Sequence, residues 1–350
     1  MRGILRSVAV TLAATAIVAG SGATAPASGS RPTRYCTVFR VPVTVPGASG
    51  ASVSGWLCLP STSTPKIVQL LVHGGTYNRF YWDWPDQPEK YSYVDRALRA
   101  GHATFAVDRL GVGQSTRPHS DALTMSAGAE ALHQVVTALR EGRLAGRGFD
   151  RVVWVGHSYG TMFAWVEAAT HSDVDAFVLT GQTHFTKESW IKDATASTYP
   201  AVQDPKFANS GLDFGYLTTV PGSRGRLFYH APNADPAVIA RDEQLKDTLA
   251  LPELVEGSQL VNLPPPDTAP SRAIRVPTLL VLGEHDNLTC GPPDGIACTE
   301  SNVLSQENPY YAPEARLQVR IVPATGHDLQ LHHSAAASNA LILDWLGGLF

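Results

Sequence analysis

Charge is scarce in this chain. Only 17% of its 350 residues are Asp, Glu, Lys or Arg, and 27 cationic side chains face 31 anionic ones for a net charge of -4. With no surplus of cations to neutralise phosphates, nucleic-acid binding is excluded. Long apolar runs are also missing. The stretch at 8–19 is about a dozen residues, against the roughly 20 that a helix needs to cross a bilayer, and nothing later in the chain approaches that length. Cysteine is limited to four residues with no C-x-x-C, and there is no H-E-x-x-H, no G-x-x-x-x-G-K-[ST] and no G-x-G-x-x-G between a strand and a helix. No metal and no nucleotide or other cofactor is therefore expected. The adjacent His332-His333 falls on the predicted last helix, where consecutive side chains diverge and cannot share one ion.

What is present fits a globular, exported protein. Hydrophobic residues make up 44% of the chain, enough for a core, and the 30 Gly and 25 Pro are scattered rather than periodic, as in a fold with many tight connections. Residues 1–27 read as a secretory signal: Arg2 and Arg6 open it, the apolar run follows, and small residues lead to Ala23-Thr24-Ala25 and Ala25-Pro26-Ala27. The second is the better cleavage site, because cutting after Ala25 would put Pro26 next to the scissile bond. A secreted protein with no remaining membrane span is expected. All four cysteines lie beyond the signal, and an even number in an exported chain predicts two disulfides. Segments 35–45 and 51–59 look like a hairpin around Pro46-Gly47, which sets Cys36 opposite Cys58 and leaves Cys290 to close a short loop with Cys298.

Strands and helices then alternate. Strands are predicted at 66–73, 102–108, 151–155, 174–180, 276–282 and 317–322, and helices at 90–100, 121–142, 158–170 and 329–346. This pattern predicts an α/β fold with a mostly parallel sheet covered on both faces. About ninety residues, 182–273, interrupt the rhythm with one helix-like piece near 235–249. So long a stretch within a compact domain is expected to fold as a cap over the carboxyl edge of the sheet, where open α/β sheets bind ligands. The expected organisation is a core of 28–181 and 274–350 with the 182–273 cap inserted.

The chemistry sits at strand ends. Gly156-His157-Ser158-Tyr159-Gly160 matches G-x-S-x-G between a buried strand and an Ala-rich helix, the setting of a tight turn that exposes a serine at its tip. Such a pentapeptide occurs by chance in on the order of one chain in ten, and the flanking strand and helix lower that chance. A serine needs a base, and the base an orienting acid. His327 follows the last strand and Asp286 follows the one before it, so Ser158, Asp286 and His327 occur in the order this turn requires. Glu284 is the alternative acid, and Asp328 is too close along the chain to the base. For an oxyanion hole the candidates are the backbone amides of Tyr159, just after the serine, and of Gly75 in the His73-Gly74-Gly75-Thr76 loop. The aromatic cluster Phe80-Tyr81-Trp82-Asp83-Trp84 either walls an acyl pocket or packs its loop, with equal support for the two.

Taken together, the HGG loop at 73–75, the Asp108-to-Ser115 D-R-x-G-x-G-x-S segment, the GHSYG turn, Gly283-Glu284-His285-Asp286 and Gly326-His327 resemble the α/β-hydrolase superfamily, in its capped esterase and lipase-like form. The resemblance extends over about 66–346. It implies an eight-stranded, mostly parallel sheet with the cap after the sixth strand, and a structural role for the D-R-x-G-x-G-x-S turn. The expected activity is hydrolysis of small-molecule or lipid-like carboxylic esters through an acyl-enzyme, with amide hydrolysis, acyl transfer and a non-catalytic binding role as alternatives. Ser158 departs from relatives with Asp at this turn, such as epoxide hydrolases and haloalkane dehalogenases.

Overall fold

The computed structural model describes residues 34–61, 63–144, 146–262 and 265–350; the predicted signal at 1–27 lies outside them. Strands β1 (Arg34–Pro42) and β2 (Ser52–Pro60) form the hairpin that the sequence predicts. Their antiparallel register sets Cys36 directly opposite Cys58, and the two are joined by a disulfide. Cys290 and Cys298 form the second.

The hairpin is the edge of an eight-stranded sheet. Its other strands are β3 (Ile67–Val72), β4 (Ala103–Asp108), β5 (Arg151–His157), β6 (Ala176–Thr180), β10 (Thr278–Gly283) and β11 (Gln318–Val322). The order is β1-β2-β4-β3-β5-β6-β10-β11. The two pairings of β2 are antiparallel and the remaining ones parallel. Both faces are covered, which is why the central strands read as continuous apolar runs. Val152 and Trp154 of β5 enter one hydrophobic cluster, and Val153 and Val155 enter the other. In β10, Leu280 and Leu282 face the first cluster, and Leu279 and Val281 the second.

Around the sheet lie α1 (Pro88–Tyr91), α2 (Tyr93–Arg99), α3 (Met125–Arg140), α4 (Tyr159–Thr170), α9 (Glu300–Glu307) and α10 (Ala335–Leu349). Three predicted helices differ in detail. The 90–100 helix is split at Ser92, whose hydroxyl caps α2 by accepting from the Asp95 amide. The 121–142 helix starts only at Met125, where Thr124 accepts from the Ala127 amide. The 329–346 helix is a short 3-10 turn, Leu329–Leu331, followed by α10. His332 therefore precedes the last helix instead of lying on it, and its Nε2 accepts from the Gly326 and His230 amides.

Between β6 and β10 the chain is richer than one helix. It contains α5 (Glu188–Ala196), α6 (Arg224–Phe228), α7 (Pro236–Leu245) and α8 (Leu251–Ser258), with β7 (Thr198–Pro200), β8 (Tyr216–Thr219) and β9 (Leu249–Ala250). These strands form a separate three-stranded antiparallel sheet in the order β7-β8-β9. Strands of two to four residues carry too little periodicity to be read from sequence. The insert is fastened by buried charge pairs. Arg109, just after β4, meets Glu253 of α8 at 2.8 Å, and within the insert Lys246 meets Asp204 at 2.5 Å.

Candidate active site

Four connections at the carboxyl ends of parallel strands carry the predicted site residues, beside the point where the order β4-β3-β5 reverses direction. Ser158 joins β5 to α4 with φ 53° and ψ -114°, a strained conformation for a residue with a side chain. The flanking glycines are dictated by contact. A Cβ on Gly156 would lie 2.4 Å from the Gly160 carbonyl oxygen, and one on Gly160 would lie 2.2 Å from that of Val72. The turn is further held by the Ser158 amide, which donates to the Thr180 carbonyl at 2.8 Å, and by the Trp154 indole, which donates to the Gly160 carbonyl at 3.0 Å.

His327 lies in the loop after β11. A carboxylate can only accept, so its Nδ1–H donates to both Asp286 oxygens, at 3.0 and 3.2 Å. Asp286 is fully buried and also accepts from the Leu288 amide at 3.0 Å. This geometry fixes the tautomer that leaves the His327 Nε2 lone pair available. Burial works against the charged imidazole, but the charge and hydrogen bond of Asp286, and then the charge of Asp328, more than offset it and raise the His327 pKa above its ordinary value. Among the described residues, neither His327 Nε2 nor the Ser158 hydroxyl makes a hydrogen bond. The His327 ring packs against His157, the residue before Ser158, with centroids 4.6 Å apart.

The other two acids are used elsewhere. Glu284 is half-exposed and accepts from the Ala324 amide at 2.8 Å, so it braces the loop ahead of His327 without touching the imidazole. Asp328 is buried and makes no hydrogen bond to His327. Its Oδ2 accepts from the Tyr77 hydroxyl at 2.5 Å, and its Oδ1 faces His157 Nε2 at 3.5 Å.

The loop after β3 runs past the serine. The His73 Nδ1–H donates to the Gly74 carbonyl at 2.9 Å and Nε2 accepts from the Arg109 amide at 3.2 Å. Burial, with Arg109 next, lowers the His73 pKa well below its ordinary value, so the ring works as a neutral brace. Gly75 lies against the Tyr159 ring, which an added Cβ would meet at 3.1 Å. The amides of Gly75 and Tyr159 donate to no acceptor among the described residues. The D-R-x-G-x-G-x-S turn is structural, as expected: Asp108 accepts from the Arg79 and Gln114 amides and pairs with the Arg79 guanidinium at 2.6 Å.

A buried network that the sequence did not announce lies behind this loop. Arg224 of α6 pairs with Asp242 of α7 at 2.8 Å, donates to the Thr76 hydroxyl at 3.0 Å, and stacks 4.0 Å above the Tyr77 ring. The Tyr77 hydroxyl sits between Asp328 and Asp242, at 2.5 and 3.2 Å. One chain of contacts thus ties the insert, the loop after β3 and the loop that carries His327. Only a long-range pairing signal could have revealed it, because the residues are far apart in sequence and match no motif.

Ser158, Gly75, Thr76 and Tyr159 line one part of a cavity of about 560 Å³, a size typical of small-ligand sites. The insert supplies much of the rest, including Trp190, Leu217, Phe228, Leu249 and Leu254. No charged side chain lines it among the described residues. The 80–84 aromatics are not part of this lining: Tyr81, Trp82 and Trp84 are buried, and Tyr81 stacks on His157 at 4.2 Å. Of the insert aromatics, Trp190, Tyr199 and Phe228 line the cavity, whereas Phe214 is 70% exposed.

The family model described as "Alpha/beta hydrolase family" matches residues 69–340. The chain belongs to the alpha/beta hydrolase family. Among curated proteins it is 30% identical over 106 residues to Epoxide hydrolase A of Mycobacterium tuberculosis, which covers 30% of this chain and 28% of that protein. The match thus spans little more than a quarter of that relative. Among solved structures it is similar to an esterase from Exiguobacterium antarcticum, with a TM-score of 0.59, 14% identity and coverage of 87% of this chain and 99% of that one. It is also similar to a thermostable carboxyl esterase from Bacillus coagulans, with a TM-score of 0.59, 14% identity and coverage of 89% and 98%. At these identities the structural likeness establishes the fold. None of the described helices is long and apolar enough to cross a membrane.

Proposed function

We propose that this hydrolase is a secreted serine esterase that cleaves uncharged, largely apolar carboxylic esters. One observation carries the reading: a serine held in a strained strand-to-helix turn faces an apolar cavity, while an imidazole oriented by a buried carboxylate packs beside the same turn. The mechanism follows from what each group can do. His327 Nε2 takes the Ser158 proton as the hydroxyl oxygen attacks the acyl carbon. Asp286 keeps the tautomer and stabilises the imidazolium. The Gly75 and Tyr159 amides, which have no competing acceptor among the described residues, bind the oxyanion, the second of them at the N-terminus of α4. His327 then gives its proton to the leaving alcohol, and later activates the water that releases the acid.

Two disulfides support export, as does the reading of residues 1–27 as a signal. The residues between β6 and β10 act as the cap, since they supply much of the cavity wall. The likeness to an epoxide hydrolase does not transfer the activity. In relatives of that kind an Asp side chain attacks from this turn, and here the position holds Ser158.

The test is a comparison of p-nitrophenyl esters of increasing acyl length with matched anilides, alongside labelling by a fluorophosphonate. Ester turnover with labelling supports the proposal. Faster anilide cleavage points to an amidase, product that accumulates on an added alcohol points to acyl transfer, and an inert, unlabelled protein points to a binding role.

A further inference from the structure

A second cluster of reactive side chains lies away from the cavity, between α3 and α4. His133 on α3, Glu167 on α4 and Asp173 just beyond α4 each offer a ligand atom, and these atoms lie within 4.8 Å of one another. Glu167 is only 1% exposed, while the side chains of His133 and Asp173 are 25% and 22% exposed. Four atoms in this cluster are shielded from solvent and lack any hydrogen-bond partner: His133 Nδ1, Glu167 Oε1 and both carboxylate oxygens of Asp173. His133 Nδ1 comes within 2.7 Å of Asp173 Oδ2, yet without the alignment of a hydrogen bond. Buried carboxylate lone pairs turned toward one another with no aligned donor between them are unfavourable, unless a cation supplies the missing charge.

The surroundings hold these groups in place without neutralising them. Arg140 directs Nε and Nη2 to the Asp173 backbone carbonyl, at 2.7 and 2.5 Å, and leaves the carboxylate alone. His171 stacks on the His133 ring with centroids 3.5 Å apart and is itself tied to Glu130 at 3.2 Å, which fixes the plane of the His133 imidazole.

We propose that His133, Glu167 and Asp173 form a binding site for one divalent transition-metal ion of the Zn²⁺ class. One imidazole and two carboxylates suit such ions, whereas Ca²⁺ and Mg²⁺ prefer all-oxygen shells. Three protein ligands leave one tetrahedral position for water. The partial exposure of His133 and Asp173 gives the ion a way in. Glu167 lies nine residues beyond Ser158, about 13 Å along α4, so the ion has no part in ester cleavage. Its effect is to fasten α3 to α4 and to the chain leading into β6.

The rival arrangement is a proton shared between the two carboxyl groups. Burial first, and then the neighbouring Asp173, push the Glu167 carboxyl up to about 9. Calorimetric titration of ZnCl₂ into tag-free, EDTA-treated and dialysed protein separates the two. The metal site predicts saturable uptake of one equivalent and, at a free concentration of about 100 times Kd, a rise in Tm of about 4 °C. His133→Gln and Glu167→Gln should each weaken binding by at least about tenfold. Absence of saturable uptake by the wild-type protein overturns the proposal in favour of the shared proton. Undiminished uptake by the variants also overturns it, because the ion then sits elsewhere, for instance at the stacked His230–His285 pair. Equal affinity for Ca²⁺ would contradict the role given to the imidazole. If Glu167→Gln does not fold, the wild-type titration and the more exposed His133→Gln still decide.

Discussion

Replacing Asp286 with Asn should separate the two things that carboxylate does for His327. Asn is nearly isosteric, and Asp286 is fully buried, so the loop has little freedom to rearrange. The Asn amide can donate to Nδ1, which favours the tautomer with its proton on Nε2 and leaves no lone pair facing Ser158. The same change in a Ser-His-Asp protease lowers kcat about 10⁴-fold, or roughly 5.4 kcal/mol of transition-state stabilisation, and a loss of that size is expected here. A pH effect accompanies it. His327 must be neutral to accept a proton, so kcat/KM rises with pH through the His327 pKa. In the wild type, Asp286 lifts that pKa above the ordinary 6.5, and the acid limb should lie above that value. In Asp286→Asn the carboxylate charge is gone while burial, the largest influence, remains, so the limb should move to lower pH. The assay is kcat/KM for a p-nitrophenyl ester measured across pH for both proteins, with Tm values to show that the variant is folded. A folded variant with kcat within tenfold of wild type and an unmoved acid limb would refute the assignment of Asp286 and leave Glu284 to be tested.

Other consequences are as specific. Arg224→Met leaves the buried Asp242 and Asp328 without their cation and should destabilise the fold by about 3–5 kcal/mol, seen as a fall in Tm; an unchanged Tm would mean that the network carries no net stability. Loss of the Cys36–Cys58 bridge by paired Ser substitution should cost about 3 kcal/mol in urea unfolding, from the 22-residue separation it closes, and a cost under about 1 kcal/mol would contradict this. Leu254→Trp adds bulk to the cavity wall and should lower kcat/KM for long acyl chains by about tenfold or more while acetate changes little, because each excluded methylene is worth about 1–3 kcal/mol. A uniform loss across chain lengths would show that the acyl group lies elsewhere.

The parts of this molecule that were legible in sequence are those with a local signature. The GHSYG turn, the HGG loop and the strand-ending Asp286 and His327 all sit beside apolar runs whose length and punctuation mark them as buried strands. The Cys36–Cys58 pairing was legible because a hairpin turn fixes register, and the observed partners match it. The insert was recognisable as a break in rhythm and no more, since β7, β8 and β9 are too short to show alternation. The Arg224–Asp242–Tyr77–Asp328 network and the His133–Glu167–Asp173 cluster left no trace. Each joins residues many positions apart whose individual context is that of any polar side chain. The roles of Glu284 and Asp328 were decided by side-chain direction, which sequence spacing alone does not specify.

The proposed esterase mechanism requires that Ser158 become covalently acylated. Rapid quenching of the enzyme with a p-nitrophenyl ester, followed by peptide mass spectrometry, tests it directly. Acylation of Ser158 should give a burst of p-nitrophenol with the acyl mass on the peptide containing Ser158, and neither burst nor adduct in Ser158→Ala. Turnover by Ser158→Ala at a rate near wild type, or an acyl group carried on another residue, would contradict it.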